Sequence, residues 1–190
     1  MALTAAEKAE HRAQHAWLTA QEYDELQSVA VPGYFAGGWS PPTATTGTDT
    51  TPAEKKLFVV SCFIPTYKVI NGIGYLVGSV GGTNKVVAGL FSSTGAILAE
   101  SSPTTEGTLV GTAAEIQELP LVTPYLAVGP TVVYIGITMN GNTARLRTIP
   151  VNTAGSNIFS SEVTLAAKNV LNAITVPTTN AAKGPISWVY

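Results

Sequence analysis

The chain is short of charge, and the shortage is uneven. Its 190 residues hold 10 Lys and Arg against 12 Asp and Glu, a net charge of −2. That balance is too near neutral to draw nucleic acid or an anionic membrane by its field alone, so neither is expected as a partner. From Leu57 onward the only charged side chains are Lys68, Lys85, Arg145, Arg147, Lys168, Lys183, Glu100, Glu106, Glu115, Glu118 and Glu162. They make up about 8% of that stretch, against roughly 25% in an ordinary soluble domain. Thr, Ser, Asn and Gly stand in their place. Neutral groups are far less costly to desolvate than ions, so such a body suits burial against other protein chains. A low-charge secreted domain would have the same composition.

Cysteine is almost absent. Cys62 has no partner for a disulfide within the chain, and no Cys/His spacing suggests structural zinc. It sits in the apolar run LFVVSCFI, where a buried, inert thiol is expected. No run reaches the ~18 to 20 apolar residues that would span a bilayer. The opening MALTAAEKAEHR is charged and Ala-rich, without the apolar centre of a secretory signal.

Catalytic groups are scarce as well. Both histidines, His11 and His15, precede the charge-poor stretch, which also lacks Asp, so a Ser-His-Asp or Cys-His arrangement has no local base. The order H-R-A-Q-H lacks the Glu of a zinc-protease helix, and two solvated histidines are expected. Glu115 and Glu118 stand an odd number of residues apart, which on a strand sends them to opposite faces rather than to one glycosidase site. Gly72-Ile73-Gly74 lacks a third glycine and a following helix, so it reads as a strand irregularity rather than a phosphate loop. No enzyme activity, metal or cofactor is expected.

What is present divides the chain in three. Residues 1–32 read as a helical arm. Leu3-Thr4-Ala5-Ala6-Glu7 and Leu18-Thr19-Ala20-Gln21-Glu22 each pair a Thr cap with a Glu three residues on, predicting helices over about 4–17 and 19–28. Their apolar faces are thin, so they need a partner surface. Residues 33–56 are a Gly/Pro/Thr-rich linker whose Tyr34, Phe35 and Trp39 are too apolar for a free tether. Residues 57–190 read as β, with strands expected over 57–64, 68–77, 84–91, 96–101, 113–122, 131–139, 143–150, 157–165 and 185–190. Ser93-Thr94-Gly95 and Asn140-Gly141 are the expected hairpin turns. Short, regularly punctuated strands without intervening helices mean a sandwich or a barrel. Trp188 and Tyr190 are expected to complete the chain's own sheet. Arg145 and Arg147 share a strand face and could clamp a partner carboxylate or an acidic glycan, or serve only as exposed strand arginines.

The succession GIGYLVGSVGGTNKVVAGLFSSTGAILAES, EIQELPLVTPYLAVGPTVVYIGI and NGNTARLRTIP resembles jelly-roll β-sandwich structural proteins of tailed-phage virions, over about residues 57–150. The resemblance implies an antiparallel jelly-roll-like β-sandwich behind a short helical N-terminal arm, located in the virion. It implies a capsid decoration (cement) or head-fibre protein, commonly trimeric, bound to the major capsid protein or another virion protein. A helical acidic arm is not general among cement proteins and could instead dock on a tail or portal. In this reading Trp17, Tyr34, Phe35 and Trp39 anchor the arm, because aromatic groups dominate interface energetics. The alternative is a glycan-binding module using Tyr125, Tyr134, Arg145 and Arg147.

Overall fold

The computed structural model describes residues 47–64, 67–102, 108–128, 130–149, 160–178 and 184–190, all within one compact unit. The helical arm, Trp17, Tyr34, Phe35, Trp39, His11 and His15 lie outside the described residues. The described chain is mainly β, its sheets are antiparallel, and no helix occurs among the described residues.

A large sheet carries most of the core. Its strands are β10 (Ser160–Thr164), β2 (Lys56–Ile64), β8 (Thr131–Met139), β4 (Gly82–Phe91) and β5 (Ile97–Glu100), in that spatial order, with β6 (Thr108–Gly111) beside the first half of β4. In β2, β8 and the second half of β4 (Val86–Phe91) most residues are apolar and buried. On one face Leu57, Val59, Val87, Phe91 and Tyr134 pack with Leu165, Leu171 and Ile174. Residues 165–176 thus form a strap over this face, held where Leu165 N donates to Lys55 O and Ile174 N to Gly95 O. The opposite face presents Phe58, Val60, Cys62, Ile135, Ile137 and Leu90, all buried without help from the strap.

A small sheet is formed by β12 (Ser187–Val189), β3 (Lys68–Leu76) and β7 (Ile116–Ala127). The Tyr75 hydroxyl donates to the Val110 carbonyl of β6 at 2.9 Å, which ties β3 to the large sheet. The register of β3 shifts between Ile70 and Gly72, the irregularity expected of the Gly-Ile-Gly segment. The Trp188 ring lies where the Cβ of Gly74 would be, and Tyr190 covers Gly72 in the same way. The C-terminal aromatics therefore complete the chain's own sheet, as the sequence suggests.

A third sheet joins β1 (Thr48–Thr50), β9 (Leu146–Ile149) and β11 (Gly184–Pro185). Its first strand lies inside the stretch expected as linker. Ile186 stitches it to the small sheet: its N–H donates to Arg147 O, and its carbonyl accepts from Leu76 N.

One expected turn is corrected. Asn140-Gly141 does not form a β8–β9 hairpin, because β2 and β4 already occupy both edges of β8. Asn140 instead turns back on β4, accepting from Lys85 N at 2.8 Å while its own N–H donates to Lys85 O. The Ser93-Thr94-Gly95 turn does join β4 to β5. The Ser92 hydroxyl accepts from Ala96 N, and Gly95 takes a φ of 87° that disfavours a side chain.

Candidate interaction surface

One ionic locus is a latch between β1 and β9. Asp49 and Arg147 are register partners, with Arg147 Nε 3.2 Å from Asp49 Oδ1 but off line for a hydrogen bond. The Asp49 carboxylate accepts from the Ser79 amide at 3.0 and 3.2 Å and from the Ser79 hydroxyl. Burial alone would raise its pKa. The Ser79 hydrogen bonds and the Arg147 and Arg145 charges outweigh that and hold it below the ordinary carboxylate value. Arg147 also donates to Gly47 O at 3.3 Å. This guanidinium therefore serves the fold's own latch, while Arg145 stands just ahead of β9 with its backbone bonded to Gly78 and Val80. The sequence pointed to the arginines but not to Asp49, which lies 98 residues away and meets Arg147 only through strand register.

The residues considered for a glycan platform do not converge. Tyr134 is buried beneath the strap, and that burial raises its phenol pKa. Tyr125 pairs with Ile70 in the small sheet, and the arginines belong to the third sheet or its approach. Trp188 is flattened on Gly74 and buried. Cys62 is buried on the inner face of the large sheet, and desolvation pushes its thiol up to about 12, so it is inert at neutral pH, as expected from its apolar run. Glu115 precedes β7 and Glu118 lies on its exposed side. Among the described residues no group of three His, Cys, Asp or Glu could hold a metal, and no helix is long and apolar enough to cross a membrane.

A different feature has the character of a binding surface, and sequence reasoning missed it. The last residues of β2 and β7 and the first residues of β3 and β8 lie at the same end, since β2 pairs with β8 and β3 with β7. Around that end six apolar side chains stand in solvent: Phe63 (56% exposed), Tyr67 (63%), Val69 (51%), Leu126 (50%), Val128 (57%) and Val132 (37%). Phe63 lies opposite Val132 and Val69 opposite Leu126, so four of the six are direct cross-strand pairs. Lys68 does not interrupt them. It alternates to the other side of β3 from Val69, opposite buried Ala127, where desolvation lowers its pKa. Scattered apolar residues on a surface are ordinary, whereas six at one end of the fold, four of them in cross-strand pairs, form a concentration of exposed apolar surface. No protein-family model matches the chain, and no curated protein matches it.

Proposed function

We propose that this chain is a non-enzymatic structural protein of a tailed-phage virion, most simply a capsid decoration or head-fibre protein. In this reading the large and small sheets are the two layers of an antiparallel, jelly-roll-like β-sandwich. The helical arm ties it to the shell, with Trp17, Tyr34, Phe35 and Trp39 as anchors. One observation carries the reading: a charge-poor body gathers six exposed apolar side chains at one end. A body of this kind gains from being covered, since burying apolar surface stabilises by roughly 25 cal/mol per Å² and no ion has to be stripped of water.

Cosedimentation and negative-stain microscopy of the purified protein with its native particle test the proposal. Full-length protein is expected to decorate particles, and deletion of residues 1–40 is expected to abolish decoration while leaving a folded β body. Full occupancy by the truncated protein sinks the clasp role of the arm. Failure of the intact chain to bind particles, together with micromolar binding to a glycan array, moves the reading to a glycan-binding module of a fibre or tail.

A further inference from the structure

We infer that Asn140 is a self-modification site, where attack by the Gly141 amide turns the side-chain amide into a carboxylate, and that the fold withholds this reaction from Asn71. The chain holds two Asn-Gly pairs, Asn71-Gly72 and Asn140-Gly141, identical as dipeptides. Gly is the residue that least obstructs such an attack, because it has no Cβ beside its nitrogen and bends freely. The inference stands apart from the virion reading.

At Asn140 both reacting groups are in place. The side-chain carbonyl accepts from Lys85 N at 2.8 Å, a bond that draws electron density away from Cγ. The same N–H can hold the negative charge that forms on Oδ1 when Cγ becomes tetrahedral. The chain then leaves β8 and is next held at Ala144, whose N–H donates to Asn84 Oδ1 at 3.0 Å. Between these two ties the Gly141 amide has no hydrogen-bond partner among the described residues, and Asn142 and Thr143 beside it are exposed. An amide with no acceptor yields its proton to the solvent more readily than one bonded in a ladder. Asn84 Nδ2 lies where a Cβ at position 141 would stand, so the loop as folded takes glycine there.

Asn71 has the opposite setting, although it is the more exposed of the two. Gly72 is buried within β3, paired with Pro120, and its N–H donates to Tyr190 O at 3.3 Å. The Asn71 N–H donates to the same carbonyl at 2.6 Å, and the Tyr190 ring lies against Gly72. For Gly72 N to reach the Asn71 side chain, these bonds must break and the strand must bend. Exposure alone would select Asn71, whereas the bonding selects Asn140.

The reaction needs only water. Gly141 N passes its proton to hydroxide and bonds to Asn140 Cγ. The Cγ–Nδ2 bond breaks, Nδ2 leaves as ammonia with a proton from water, and a succinimide closes. Water then opens the ring. Addition at Cγ gives aspartate, and addition at the Asn140 main-chain carbonyl gives isoaspartate, whose backbone runs through Cγ. In sum one water is consumed and one ammonia released. Either product sets a carboxylate beside β4, in a body with few charges.

Incubating the full chain at mildly alkaline pH and mapping its tryptic peptides by mass spectrometry tests the inference. Asn71 falls in the peptide Val69–Lys85 and Asn140 in the peptide Val86–Arg145, so the two sites are read separately. A digest taken before incubation fixes the background, and the peptide from Asn140→Asp marks where the aspartate product elutes. In the folded chain the acid forms are expected to accumulate at Asn140, faster as pH rises because the attacking amide must lose a proton. Asn71 should convert at least about tenfold more slowly, since β3 has to open locally before Gly72 can react. In urea the two rates should converge. The inference is overturned if the folded chain keeps Asn140 intact for as long as the urea-treated chain takes to convert it. It is also overturned if Asn71 reacts as fast as Asn140 in the folded chain, or if fragmentation places the new acid at Asn142.

Discussion

The strap-covered part of the large sheet and its far end are made of the same kinds of residue and differ only in what lies over them. Phe91 and Phe63 belong to one face of one sheet, since Phe91 pairs with Tyr134, Tyr134 with Ser61, and Ser61 is two residues from Phe63. Phe91 is wholly buried, with its ring filling the space a side chain on Gly136 would need, whereas Phe63 is more than half exposed. The difference is the reach of residues 165–176. A face that reads as core from its sequence becomes an exposed apolar surface where its cover ends.

The largest expected effect sets these two phenylalanines against each other. Phe91→Ala should cost about 3–5 kcal/mol in urea unfolding, the range for a buried aromatic. Phe63→Ala should change stability by no more than about 0.5 kcal/mol. Equal losses would mean that the far end is core after all.

Shortening the strap should come next. Leu171→Ala is expected to cost about 2–4 kcal/mol, because Leu171 fills the space above Gly89 and the strap has few other anchors on that face. A cost below about 1 kcal/mol would show that the strap rests on the sheet without stabilising it.

Gly74→Ala should cost about 1–3 kcal/mol by displacing the Trp188 ring, which occupies the new methyl's place. Gly82→Ala provides a contrast in which no atom is met and only the φ of 144° resists the change. Loss of tryptophan fluorescence shielding in the first variant but not the second would locate the effect at Trp188.

The smallest effect belongs to the β1–β9 latch. Asp49 has a folded-state pKa below its unfolded value, so its contribution is complete above the unfolded pKa of about 3.9 and is lost as pH falls through the folded one. Asp49→Asn should lower stability at neutral pH by less than about 1 kcal/mol, since the pair is partly exposed. It should also flatten the acid limb of the stability curve measured by urea midpoint between neutrality and acid. An unchanged acid limb would remove Asp49 from the latch.

The β strands were legible because their signals are local. Alternation and β-branched runs place β2, β8 and β4 within a residue or two of where they lie, and the Ser-Thr-Gly turn is a property of three residues. The misses share a cause. Strands β1 and β6 have three and four residues, too short for a period to show. Asn140-Gly141 has the composition of a hairpin, but pairing β9 with β8 needs a free edge, and both edges of β8 are taken. The two arginines were visible as a pair, while Asp49, which engages Arg147, was not. The apolar end could not be read either, because Phe63 and Val69 look like their buried neighbours until the cover above them is known.

The sequence by itself determined a charge-poor, mainly β body, an inert Cys62, and C-terminal aromatics that return to their own sheet. Each follows from composition or from spacing along a few residues. Only the tertiary structure decided which edge each strand meets, where the strap ends, and that Phe63, Val132, Val69 and Leu126 stand bare at one end. Those outcomes depend on contacts between residues far apart in the chain, and exposure is a property of what covers a side chain rather than of the side chain itself.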